Sequence, residues 1–343
     1  MTFAALQFRP VGIAGLGHYV PEKCVTNQDL EKMVDTTDEW IKSKIGIEKR
    51  YVASPHQALS DLSIEAARRA IDAAGLRPAD IDMLIITGQN HDHKTPATSC
   101  IVQDKMKMRH VAAVDVSTAC SGFVYGLAIG SKFVADHTYD NVLVIGAEIH
   151  SRMISWQDRT TCVFFGDGAG AAVLRPADHG SGFLSFDLGS DGSGADAIVI
   201  PAGGSRIPTN SDAIIPREEA SGQVRSLLDA RMDGKAVYEF ATRVFPRTIL
   251  ASLARADLEV DDIDFVISHQ ANKNIIREGM NALGLPMEKT YLNLEKYGNC
   301  SSASIPIALN EAVEAGKILR GDVVALVGFG AGLSWGSTLM RWA

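Results

Sequence analysis

Three residues far apart in the chain have side-chain types that could serve nucleophilic catalysis: Cys120, His269 and Asn299. Cys120 sits in AVDVSTACSGFVYGL, where a strand-like apolar run ends in small residues and a helical pattern begins at about Ser121. A thiol at that junction faces the positive end of a helix and unpaired backbone N–H groups, which favour the thiolate and are expected to lower its pKa. Ala119, Ser121 and Gly122 are small enough for a sharp turn that leaves room for a substrate, as in a nucleophile elbow. The competing reading is a small buried apolar residue, the commonest fate of a free cysteine. His269 follows the apolar run Phe265 to Ser268 and therefore falls at the C-terminal end of a strand, where open α/β sheets place their sites. Asn299 lies in Tyr-Gly-Asn-Cys-Ser-Ser-Ala-Ser, with Gly298 supplying turn freedom and Ser301 or Ser302 able to cap the next helix. Taken alone it reads as a turn asparagine.

Other chemistry-bearing residues are weaker. Cys300 is a rival nucleophile, but it has no strand-to-helix elbow and reads as structural. The loop Gly328 to Gly332 lets backbone approach a ligand and present N–H groups, yet GFGAG lacks the Lys-Ser/Thr ending of a phosphate-binding loop. His91-Asp92-His93 has no third ligand at helical spacing, so no metal site is expected.

The elements that must position these residues show a repeat. Residues 73–90 and 255–272 match at a constant offset of 182: Ala74, Leu76, Asp80, Ile81 and Asp82 recur as Ala256, Leu258, Asp262, Ile263 and Asp264. The same offset sets His269 beside Thr87, and Cys120 lies at the next strand-to-helix junction after Thr87. A second echo is GDGAG at 166–170 against GFGAG at 328–332, each read as leading into a strand. Continuous apolar runs at Met83 to Ile86, Val111 to Val116, Val142 to Ile145, Phe265 to Ile267 and Val323 to Val327 alternate with helical patterns such as Ser63 to Ala74 and Ser302 to Ala315. Strands that are apolar throughout belong to sheets covered on both faces, so the expected class is α/β. The expected division is two similar halves, 1–180 carrying the cysteine and 181–343 carrying the histidine and asparagine. The Gly-, Ser- and Pro-rich stretch from about 180 to 220 reads as loops joining them.

A chain of 343 residues that is 46% hydrophobic can bury a large core. Its net charge of -8 removes the electrostatic attraction on which non-specific nucleic-acid binding depends, so no nucleic-acid partner is expected. No apolar run reaches the roughly 18 to 20 residues of a membrane span. The start, MTFAALQFRPVGIAGLG, reads as lacking a secretory leader, which points to the cytoplasm. The five cysteines form no CxxC pair and read as reduced thiols.

Together these residues resemble the 3-oxoacyl-[acyl-carrier-protein] synthase III family of the thiolase-like superfamily. The resemblance covers nearly the whole chain and rests on TTDEWIKSKIGIEKRYV (36–52), STACSGFVYGL (117–127), DRTTCVFFGDGAGAAVL (158–174), SHQAN (268–272), YGNCSSASIP (297–306) and GFGAGLSWGS (328–337). It implies a layered αβαβα core and a homodimer that takes an acyl group from acyl-CoA onto Cys120. A decarboxylative condensation with malonyl-acyl carrier protein follows, without metal or resident cofactor. His269 and Asn299 are then the donors that stabilise the malonyl enolate, and the Cys120 and Gly330–Gly332 N–H groups hold the first oxyanion. Trp40 and Arg159 match positions that sandwich the CoA adenine. Met232, Gly234 and Asn272 match the pantetheine channel, and Phe329 the acyl pocket.

Some positions depart from the family. Lys44 stands where arginine commonly grips the nucleotide, and Ala331 stands where glycine is common. Thr95 stands where many members insert a phenylalanine into the partner's acyl pocket, which implies a roomier pocket. The carrier-protein patch carries Glu239, Asn274, Asn281 and Ala282 at usually basic positions, with Lys273 and Arg277 on one helix face as replacements. The other reading is a relative that passes its acyl group to a non-standard acceptor in secondary metabolism.

Overall fold

The computed structural model describes residues 8–343. Residues 1–7, part of the stretch read as leaderless, lie outside the described residues. Strands β1 (Val11–Tyr19), β2 (Met83–Thr87), β3 (Ala112–Val116), β4 (Val142–Glu148) and β5 (Gly168–Pro176) form one sheet in the order β1-β5-β4-β2-β3. Strands β6 (Gly182–Ser190), β7 (Phe265–Ser268), β8 (Val323–Gly330) and β9 (Ser334–Arg341) form a second in the order β7-β8-β9-β6. In the first sheet β2 pairs parallel with β4, and β4 antiparallel with β5. The second repeats this with β7, β8 and β9.

Six helices position the site: α1 (Asp38–Lys44), α2 (Leu59–Ala73), α3 (Gly122–Ala135), α4 (Gly234–Ala256), α5 (Lys273–Ala282) and α6 (Ser304–Glu314). The apolar character of both strand faces has a direct structural use. One face of β2 and β4 (Ile85, Val144) and one face of β7 and β8 (Ile267, Leu326) close on α3 and α6 between them, through Phe123, Leu127, Ile305 and Leu309. The opposite face of the first sheet (Leu84, Ile86, Leu143) packs on Leu62, Ala66 and Ala70 of α2. The opposite face of the second (Val266, Ala325, Val327) packs on Phe245 and Ile249 of α4 and Ile276 of α5. The result is five layers, helix-sheet-helix-sheet-helix, with the central helices buried from both sides.

The offset of 182 is carried into three dimensions. Ile86 pairs with Ile145 across β2 and β4, and their counterparts Ser268 and Val327 pair across β7 and β8. A 3-10 turn at Ala119–Ser121 precedes α3, and its counterpart at Ser301–Ala303 precedes α6. The first residue of each turn, Ala119 or Ser301, is in the left-handed region, with φ of 47° and 50°.

Two expectations are corrected. GDGAG and GFGAG are not structural equivalents, because Gly168 opens β5 whereas Gly328 and Gly330 end β8. The region read as loops contains β6, a strand at the edge of the second sheet. Its interspersed Gly and Ser residues mask the period-two spacing of its apolar side chains.

Candidate active site

The chain runs from β3 into the turn at Ala119–Ser121, and the left-handed residue there swings Cys120 toward the second half. Gly330, at the end of β8, stands against it: a Cβ added there would lie 2.8 Å from the Cys120 Cβ and 2.9 Å from its sulfur. His269 continues β7, and its backbone N–H donates to the Val327 carbonyl at 2.8 Å. Its ring meets Phe329 edge-on, with centroids 5.5 Å apart. Asn299 follows Gly298, whose φ of 69° makes the turn. The Asn299 N–H donates to the Phe164 carbonyl at 2.8 Å.

All three residues line one cavity of about 390 Å³. The offset of 182 relates the places where they meet. At the offset of 182, Thr87 corresponds to His269 and Ser302 to Cys120, and the Thr87 and Ser302 hydroxyl oxygens are 2.5 Å apart. The cysteine and histidine thus occupy the places that two touching hydroxyl residues hold in the mirrored arrangement.

Ser301, read from sequence only as a helix cap, ties the constellation together. Its hydroxyl donates to the Cys120 sulfur at 3.3 Å, and its backbone N–H donates to Asn299 Oδ1 at 2.8 Å. Its backbone carbonyl faces His269, although His269 Nδ1 closes no full hydrogen bond with it. Fixing Oδ1 leaves the Asn299 NH₂ available to the cavity.

Burial sets the protonation states. Desolvation pushes His269 down to about 3, so its imidazole is neutral at ordinary pH and can donate an N–H without delivering a proton. The same effect overturns the expected activation of Cys120. Its thiol is pushed up to about 11 because enclosure outweighs the Ser301 hydroxyl and the backbone N–H of Ala331 that stabilise the thiolate. Cys300 is also buried, its thiol is pushed up by desolvation, and it does not line the cavity.

The other expected site residues divide into two groups. Met232, Gly234, Asn272, Phe329, Gly330 and Ala331 line the cavity. Trp40, Lys44, Arg159, Gly332 and Thr95 do not, but three of them sit together at the surface. The Arg159 guanidinium lies 5.3 Å from the Trp40 ring centroid. Thr37 caps α1 by accepting from the Trp40 N–H, and the carbonyl of exposed Lys44 ends that helix by accepting from Asn274 Nδ2 at 2.8 Å. Asn272 in turn caps α5 and lines the cavity, so α1 and its tryptophan are held next to the opening. Thr95 is exposed. His91 lies 3.2 Å from Asp115. Glu239 is exposed on α4, and Lys273 and Arg277 are exposed on α5.

Residues 114–192 and 253–342 match models of 3-oxoacyl-[acyl-carrier-protein] synthase III and of its C-terminal part. A β-ketoacyl-[acyl-carrier-protein] synthase III of Caldanaerobacter subterraneus is 47% identical over 97% of this chain and 98% of its own. The chain belongs to the 3-oxoacyl-[acyl-carrier-protein] synthase III family. The synthase III of Clostridioides difficile is 46% identical over 96% of this chain and 98% of its own. Among solved structures, the synthase III of Aquifex aeolicus superposes with a TM-score of 0.86 at 37% identity, covering 97% of this chain and 100% of that one. The priming β-ketosynthase of the R1128 polyketide pathway superposes at 0.88 with 31% identity, covering 100% and 99%. The thiolase-like layering, the α/β class and the assignment as a condensing acyltransferase all follow from this membership.

Two residues of the site escaped the sequence reading besides Ser301. His150 stacks on Phe165 with centroids 4.5 Å apart and lines the cavity as a neutral imidazole. Glu148 ends β4 fully buried behind Ser301. Both follow the apolar run of β4, where a polar residue looks like an ordinary strand end.

Proposed function

We propose that this synthase III transfers an acyl group from acyl-CoA to Cys120 and condenses it, with loss of carbon dioxide, onto the malonyl group of an acyl carrier protein. The observation that carries this reading is the Ser301 hub, which gathers a thiol, a neutral imidazole and a carboxamide on one cavity wall. The sulfur attacks the thioester carbonyl, and the acyl–enzyme bond splits one difficult reaction into two steps. Backbone N–H groups of Cys120 and of the Gly330–Gly332 loop face the first oxyanion. When the malonyl carboxylate leaves, the electron pair it releases moves onto the thioester oxygen, where His269 and the Asn299 NH₂ donate. A neutral imidazole suits this task, since an imidazolium would quench the carbanion before it attacked. Intact-mass measurement after mixing with a panel of acyl-CoAs tests the reading. One acyl group is expected on Cys120, and labelled carbon dioxide and a 3-oxoacyl product are expected once malonyl-acyl carrier protein is added. Absence of the adduct for every primer defeats it.

The nucleotide end is assigned to the Trp40–Arg159 pair, with Lys44 supplying charge in place of a guanidinium. Removing the indole in Trp40→Ala is expected to raise KM for acyl-CoA roughly 2- to 30-fold, the size of about 0.5 to 2 kcal/mol of cation–π attraction, with kcat retained. Steady-state kinetics read this, and an acyl-N-acetylcysteamine donor, which has no nucleotide, should respond equally to both enzymes.

We assign the working form as a homodimer joined along β3. That strand is the free edge of the first sheet and, unlike the buried β2 and β4, exposes Ala112 and leaves Val114 37% exposed. An open apolar edge calls for cover by another strand. Asp115 accepts from the Thr98 N–H at 2.7 Å, which anchors the segment carrying Thr95 beside that edge. Lys273 and Arg277 are read as the carrier-protein contact. The halves 1–180 and 181–343 are read as pseudo-equivalent units. All five cysteines are free thiols, which supports a cytoplasmic setting. Acyl-CoA is read as the substrate, with no metal or resident cofactor. Among the described residues no helix is long and apolar enough to cross a membrane.

A further inference from the structure

We propose that Glu148 is the proton acceptor for Cys120, reached through the hydroxyl of Ser301. This rests on the acyl-transfer reading above and adds to it the base that the reaction needs. An enclosed thiol whose pKa is pushed up to about 11 must lose its proton before it can attack. His269 is pushed down to about 3 and binds a proton too weakly to serve.

The geometry supplies an alternative. Glu148 ends β4 with no exposed surface. Its Oε1 accepts from both the Gln89 and Asn90 N–H groups at 3.0 Å, which holds the carboxylate rigidly. Its Oε2 is enclosed and closes no hydrogen bond, an arrangement that costs stability unless the atom has work to do. The side-chain donor facing that carboxylate is Ser301, whose hydroxyl also lies 3.3 Å from the Cys120 sulfur. One hydroxyl therefore stands between the thiol and the acid.

The position follows from the duplicated frame. Gly146 packs against the Ser302 carbonyl just as Gly328 packs against that of Cys120. Two residues on, Gly330 abuts Cys120 in one half, and its counterpart Glu148 is thereby directed at the turn that begins with Ser301 in the other. Burial raises Glu148 to about 7, against the two backbone N–H groups that hold it down. The titratable groups that face it are Cys120, Cys300 and Asp167, with neutral His150 two residues further along the chain.

In acylation the Ser301 hydroxyl, which donates to the sulfur at rest, turns its proton to Glu148 Oε2 and takes the Cys120 proton in its place. The thiolate then adds to the acyl-CoA carbonyl, the carbon–sulfur bond to CoA breaks, and the proton on Glu148 passes back through Ser301 to the departing CoA sulfur, which leaves Glu148 ionised again. The sum is acyl-CoA plus cysteine thiol giving acyl-cysteine plus CoA thiol, with no change of oxidation state. A base ionised only above about 7 makes the acylation rate rise with pH through that value and then level off.

The test is single-turnover acylation across pH 5 to 10, followed by intact mass, on the full-length enzyme and the variants Glu148→Gln, Ser301→Ala and the double. Ser301→Ala keeps both backbone contacts of that residue. Each single variant is expected to acylate on the order of 10²-fold more slowly, within the range for general base catalysis. Each should lose the rise near pH 7 and climb only toward the titration of the thiol itself. The double variant should be no slower than either single, because both break one route. Glu148→Asp should restore part of the rate together with the rise near neutral pH. Should Glu148→Gln fail to show a native melting transition, Ser301→Ala alone must still lose that rise. A Glu148→Gln enzyme with the wild-type rate and profile, or losses that multiply in the double, overturns the assignment. Absence of any adduct on the wild type defeats the acyl-transfer reading instead.

Discussion

Replacing Cys120 by alanine is expected to abolish the acyl-enzyme and lower ketoacyl formation by about 10⁴-fold or more, the loss typical when a covalent nucleophile is removed. Decarboxylation should survive it. His269 is held by β7 and Asn299 by the Phe164 carbonyl and the Ser301 N–H, contacts that do not include the sulfur. The variant incubated with malonyl-acyl carrier protein should therefore release carbon dioxide within about tenfold of the wild-type rate while making no condensed product. Release that stops with the sulfur would show that one centre cannot be divided into two tasks. An acyl adduct persisting on the variant would move the nucleophile to another cysteine, with buried Cys300 next in line.

The second large effect is the converse. His269→Ala and Asn299→Ala each remove one donor to the developing enolate oxygen, a loss of about 3 to 4 kcal/mol, or 10² to 10³ in the decarboxylation rate. Acylation of Cys120 should continue in both, measured by mass in the absence of malonyl substrate. The wild-type decarboxylation rate should also show no limb from His269 between pH 5 and 9. A group held at about 3 gains its proton only when the pH falls to that value, so it stays neutral across the range. Histidine acting as an imidazolium would instead give a rate falling as pH rises through 6 to 7.

Much of this architecture was readable from the chain because it depends on local pattern. The runs at Met83 to Ile86 and Phe265 to Ile267 are apolar on both faces, and the helices that cover them carry their own periodicity. The offset of 182 linking Thr87 to His269 is legible as equal spacing in the chain. What failed to read out depends on enclosure. The junction before α3 predicts a stabilised thiolate, but the sign is reversed by how deeply the second half covers Cys120, a property of neither segment alone. Ser301 acts through its N–H, its carbonyl and its hydroxyl at once, and only the last belongs to its residue type. Glu148, at the end of VLVIGAE, looks like a solvated strand terminus until residues about 150 positions later in the chain close over it.

The contact between Thr87 and Ser302 gives the pocket its single-sidedness. A Cβ added at Gly122 would lie 2.9 Å from the Ser302 hydroxyl oxygen, so the mirrored place is completely filled. The molecule thus holds a reactive hollow and a solid cast of it, built from the same turn and the same strand end. Open space is confined to one of the two: there imidazole and sulfur line a cavity, while on the other side a pair of alcohols shut the door on each other.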